Sequence, residues 1–117
     1  MYLDLANSLK QNTEIMEATF RKCNLKVLQF SYRPYSDDDA DCQLIIEVST
    51  IDGDSIEDDV FLKINLYDEN GEIIYNTEED IYSDEYAGYD TFNISLRRNN
   101  RILKEAKSAR IFVSKIY

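Results

Sequence analysis

The side chains with reactive potential in this 117-residue chain are almost all carboxylates. Between Asp37 and Asp90 lie 19 acidic residues and one base, Lys63. Carboxylates can ligate a hard cation, share a proton as an acid–base pair, or present charge to a partner. Calcium takes about six to eight oxygen ligands, which acidic loops can supply. Asp52, Asp54, Asp58 and Asp59 are the candidate ligands, although Asp52-Gly53-Asp54 does not follow the EF-hand pattern. A glycosidase-like pair needs two acids singled out on either side of a substrate, and nothing in the sequence marks such a pair. The chain has no histidine, which removes Ser-His-Asp, Cys-His and histidine–zinc chemistry. Its three glycines, at 53, 71 and 88, build neither GxGxxG nor a P-loop. The reading is therefore non-enzymatic, with no cofactor other than calcium in prospect.

A second candidate set joins carboxylates to aromatic rings. Tyr82, Asp84, Glu85, Tyr86 and Tyr89 fall in one acidic loop. Tyrosine offers a large contact area at low entropic cost and is frequent at interaction hot spots. These residues are expected to dock a protein partner; the alternative is that the rings pack over the end of the fold. A function of another class is also open. The acidic middle carries −18 against +8 on the flanks, and such a surface could imitate a nucleic-acid backbone and occupy a basic groove. Direct binding to nucleic acid is disfavoured, because the middle lacks a basic footprint.

Alternating apolar residues define the elements that must position these groups. Leu25 to Arg33 reads as a strand with Leu28, Phe30 and Tyr32 on one face, closed by Pro34. Leu44, Ile46 and Val48 line a second strand, and Leu62, Ile64 and Leu66 a third. Asp68-Glu69-Asn70-Gly71 is a hairpin turn, with Ile73 and Tyr75 on the return. Phe92, Ile94 and Leu96 mark a fifth strand, and Ile111 and Val113 the last. The pattern predicts an antiparallel β-sandwich of six to seven strands over residues 23–117. Its expected core is Leu28, Phe30, Leu44, Ile46, Val48, Leu62, Ile64, Leu66, Phe92, Ile94, Leu96, Ile111 and Val113. Residues 1–22 are expected as a helical segment packed on it, with Tyr2, Leu5, Leu9, Met16 and Phe20 in one stripe and a break at Asn12-Thr13.

Alternating connections sort the loops by end. Asp37, Asp38, Asp39, Asp41, Asp68 and Glu69 should share one end with the basic segment 98–108. Asp52 to Asp59 and Glu78 to Glu85 should share the other, with nothing basic nearby. Cys23 and Cys42 should sit at opposite ends of a hairpin roughly 30 Å apart, beyond disulfide reach. Two free thiols suit a reducing compartment. With no signal-like N-terminus and no apolar run near the roughly 20 residues that span a bilayer, a cytoplasmic protein without membrane contact is expected, monomeric or weakly dimeric.

The stretch Ile64-Asn65-Leu66-Tyr67-Asp68-Glu69-Asn70-Gly71-Glu72-Ile73-Ile74 resembles the FxLYD-type family and related immunoglobulin-like sandwich domains. Ile64 stands where that pattern has phenylalanine. Gly88 and Phe92 are similar to the later glycine loop and strand start. The resemblance implies an immunoglobulin-like sandwich and carries no catalytic residue.

Overall fold

Among the described residues, the alternation is realised as seven strands in two sheets. The computed structural model describes residues 2–36, 39–96 and 105–116. In chain order the elements are α1 (Tyr2–Gln11), β1 (Thr13–Ile15), α2 (Glu17–Lys22), β2 (Leu25–Ser36), β3 (Asp39–Thr50), β4 (Val60–Tyr67), β5 (Ile73–Ile81), β6 (Tyr89–Leu96) and β7 (Ser108–Lys115). One sheet runs β1-β7-β4-β5 and the other β2-β3-β6. Every pair is antiparallel except β1 with β7, which is parallel from Thr13↔Ala109 to Ile15↔Ile111. The inward residues of β3 (Leu44, Ile46, Val48), β4 (Val60, Leu62, Ile64, Leu66) and β7 (Ala109, Ile111, Val113) join one core. Each buried Leu, Ile or Val there contributes about 1.5–3 kcal/mol from apolar burial.

The N-terminal segment is more than helical. Asn12 ends α1, its backbone N–H and side-chain amide both donating to the Ser8 carbonyl. Three extended residues follow before α2, and β-branched Thr13 and Ile15 suit the strand they form. Ala6, Leu9 and Phe20 enter the core, while Met16 is exposed. The Thr13 hydroxyl meets the buried Tyr32 hydroxyl at 2.9 Å, tying β1 to β2.

Two readings from alternation need correction. Leu28, expected in the core, is 50% exposed. The β2–β3 register passes from Val27↔Val48 to Gln29↔Glu47, leaving Leu28 unpaired in a bulge. An inserted residue reverses the inside–outside parity of everything beyond it. Leu25 and Val27 therefore face inward before the bulge, and Phe30 and Tyr32 after it. The second correction is β5, which continues to Ile81. Glu78, Glu79 and Asp80 belong to this edge strand, opposite Lys63, Leu62 and Phe61. Charge on an edge strand discourages pairing with another chain.

At the β4–β5 turn, Asp68 Oδ1 accepts the Asn70 and Glu72 amides at 2.9 and 3.0 Å. Gly71 alone in this turn takes positive φ, +79°. Cys23 and Cys42 are both free; Cys42 pairs with Pro34 at the far end of β2 from Leu25. Of the end expected to join acidic residues with the basic segment 98–108, Asp37 to Asp41 and Arg98 to Lys104 have side chains outside the described residues, whereas Lys107 lines one cleft with Asp68 and Glu69. Among the described residues, no helix is long and apolar enough to cross a membrane.

Candidate interaction surface

The loops 51–59 and 82–88 meet at one end of the two sheets, and Asn24 organises the first of them. It follows α2 in the left-handed region, φ +61°; asparagine tolerates this at a helix C-terminus. Its backbone N–H donates to the Arg21 carbonyl, and its carbonyl accepts the Ile51 N–H. Its side-chain amide donates to the carbonyls of Asp52 (2.8 Å) and Ser55 (3.0 Å), and its Oδ1 accepts the Asp52 N–H at 3.0 Å. The buried Thr50 hydroxyl donates to the Gly53 carbonyl.

The 82–88 loop is fastened from below at three points. Asp59 Oδ1 accepts both the backbone N–H and the hydroxyl of Ser83, at 2.8 and 2.9 Å. These bonds favour the ionised form and hold the Asp59 carboxyl below its ordinary pKa. Tyr86 donates its hydroxyl to the Val48 carbonyl at 2.6 Å. Burial, followed by the charges of Asp90 and Tyr89, pushes its pKa up to about 12. The Gly88 carbonyl accepts the Thr50 N–H at 2.9 Å. A side chain at Gly88 would place Cβ 2.9 Å from the Asp54 Cα, at φ +95°, where an L-residue is strained.

This sorts the candidate residues. Tyr82 and Tyr89 are exposed, at 43% and 52%, and Asp84 and Glu85 are exposed beside them; Tyr89, expected in the loop, is instead the first residue of β6, paired with Ser49. Tyr86 is 8% exposed and packs in the core, so it supports the surface from beneath and is not presented on it. Tyr82 donates to Asp80 Oδ2 at 2.9 Å; that bond, with neighbouring carboxylate charge, raises its pKa.

The proposed calcium ligands have other neighbours. Asp59 holds Ser83, and Asp58 pairs with Lys115 at 3.2 Å. Among the described residues, no group of three or more Asp, Glu or Cys side chains could hold a metal ion. The end is also less purely acidic than its loops imply. A cleft of about 510 Å³ beside it is lined by Arg21, Lys22 and Lys115 as well as Asp52, Glu57 and Asp58. The bases come from α2 and the end of β7, two elements that the strand alternation did not place here.

Reactive nucleophiles are not poised at this cleft. Cys23 lines it, and burial raises its pKa, the Lys115 charge opposing and Asp58 adding to the rise. Burial pushes the Cys42 thiol to about 11. Both stay protonated near neutrality, whereas thiolate is the nucleophile.

A second surface escaped the sequence reading. A groove of about 370 Å³ lies between α2 and the start of β2, with Ile15, Phe20, Leu25, Val27 and Ile51 in its walls. Another of about 250 Å³ continues along β2 to Leu28 and Phe30, sharing Ile15, Glu17 and Val27 with the first. Two exposed large apolar residues, Leu28 and Ile51, line these grooves. The bulge that turns Leu28 outward follows from the register of two paired strands, which a single strand's alternation does not reveal.

Comparison with known protein families gives no match, and comparison with curated proteins gives none. Among solved structures, the chain is similar to the crystal structure of Campylobacter jejuni cj0090. The TM-score is 0.48 at 10% sequence identity, over 90% of this chain and 98% of that one.

Proposed function

We propose that this protein is a non-enzymatic interaction module, an immunoglobulin-like β-sandwich that docks a basic surface of a protein partner through Tyr82, Asp84, Glu85 and Tyr89. The observation that carries this reading is the construction of the 82–88 loop. Asp59, Tyr86 and Gly88 fasten it to the sheets, while those four side chains stay exposed. A surface already fixed in its binding shape loses little conformational entropy on association. The carboxylates speed encounter with a cationic partner and make it salt-sensitive, and the two exposed rings supply contact area. The LYD-to-NG hairpin and the two-sheet arrangement support the sandwich class, and the free thiols fit a reducing cytoplasm.

The test compares capture by two baits, the wild type and Tyr82→Ala/Tyr89→Ala, with equal melting temperatures verified first. A protein captured by the wild type and released by salt should be lost at least about tenfold from the variant. An identical set of captured proteins on both baits would overturn the reading.

A further inference from the structure

We propose that the seam between β1 and β2 is a second docking site, which takes an extended, acidic segment of a partner protein as an added strand along β2. This site adjoins the acidic end, sharing Arg21 and Ile51 with the cleft there, but does not depend on the reading given for it.

The backbone supplies the first argument. β1 ends one sheet and β2 ends the other. Among the described residues, no backbone hydrogen bond joins β2 to β1 or to either helix. The N–H and C=O groups of β2 that face away from β3 therefore lack backbone partners among the described residues; α1 and α2 pack against the strand and leave grooves beside residues 25–30. Such an edge is a template for another strand, with main-chain bonds giving affinity and adjoining pockets giving specificity. Two of the four sheet edges, β5 and β2, are treated differently. β5 carries Glu78, Glu79 and Asp80, all exposed. Along residues 25–30, β2 instead holds Leu28 out at its bulge, with the apolar groove beside it. Six residues of added strand span about 20 Å, and the two joined grooves follow β2 from Leu25 to Phe30.

Charge identifies the occupant. In a chain of net charge −10, this seam is cationic. Lys10, Arg21 and Lys26 line it, and Glu17 is the one carboxylate in its walls. Glu17 is already paired with Arg21 at 3.7 Å. Lys10 lies 6.0 Å from the centre of the Phe30 ring. Alternating apolar side chains would enter the groove while acidic ones meet Lys10 and Lys26. A basic segment would meet like charge.

The test uses the whole chain, labelled with nitrogen-15, and the probe acetyl-Asp-Ile-Glu-Val-Glu-Ile-Asp-amide. Millimolar probe should shift the amides of residues 13–16 and 25–30 and leave 82–88 unmoved. The exposed double variant Lys10→Glu/Lys26→Glu should bind at least about tenfold more weakly, and replacing the central valine of the probe by proline should abolish binding, since proline cannot complete the ladder. No shift at millimolar probe would overturn the proposal. So would equal binding by a probe with lysine in place of each acid, which would leave only a sticky apolar patch. Shifts of the same amides on concentrating the protein alone would also overturn it, assigning the seam to a second copy of the chain.

Discussion

The acidic end and the β1–β2 seam treat their side chains in opposite ways. At the end, polar groups that look available in the sequence are bonded within the fold. Asn24 binds the 51–55 loop, Asp59 binds Ser83, and Tyr86 binds Val48. At the seam, apolar groups that look destined for the core remain in contact with water, as at Leu28 and Ile51. A conspicuous composition therefore marks where the fold needs polar partners; even the hydroxyls of Tyr82 and Tyr89 are bonded, to Asp80 and Thr91, and it is their exposed rings that can meet another molecule. Binding capacity along the seam comes from geometry: a one-residue register shift, and grooves left where β1 and α2 meet the edge of β2.

Substitutions can break this contrast. The largest effect is expected at the end, for Gly88→Ala. The new Cβ meets the Asp54 backbone and the residue is held at φ +95°, so a loss of about 1–3 kcal/mol or more should appear in urea unfolding. Accommodation without loss would mean that the loops are not tightly joined.

Tyr86→Phe should cost about 1 kcal/mol by removing the bond to Val48. It should also change the alkaline limb. The Tyr86 pKa rises on folding from 10.0 to about 12. Its stabilisation is thus full below pH 10 and is lost as pH rises toward 12. The stability gap between wild type and variant should close over that interval.

Asp59→Asn should act at the opposite extreme of pH. The folded carboxyl titrates below its ordinary 3.8. Its contribution is present above that value and lost as pH falls through the lower folded one. Melting temperatures of wild type and variant should differ near neutrality and converge in acid.

The smallest effect on stability is expected at the seam. Leu28→Ser removes an exposed side chain from a bulge and should change stability by less than about 0.5 kcal/mol. A large loss there would show that Leu28 serves the fold after all, and the contrast would fail.

Much of the fold was legible because alternation is a direct reading of burial. The alternating positions of β3, β4 and β7 are buried as their spacing implies. Leu28 was misplaced because a bulge is a property of two strands, not of one. The extent of β5 was hidden because Glu78 to Asp80 carries charge where strand propensity expects apolar or β-branched residues. At the candidate surface, the types of residue were legible but their division was not. Nothing local separates Tyr86 from Tyr82 and Tyr89; the difference lies in the carbonyl of Val48, 38 positions away. The basic side of the same end was missed because Arg21, Lys22 and Lys115 come from opposite termini of the chain.

Native-state hydrogen exchange tests the contrast most directly, because it needs no partner. Amides bonded within the end should be protected: Thr50 to Gly88, Ile51 and Asp52 to Asn24, Ser83 to Asp59, and Tyr86 to Tyr82. The amides of β2 between residues 25 and 30 that face away from β3 should exchange far faster, although they belong to a regular strand. That pattern would establish a fastened acidic end and an open seam. Rapid exchange at the end together with protection along both sides of β2 would contradict the account.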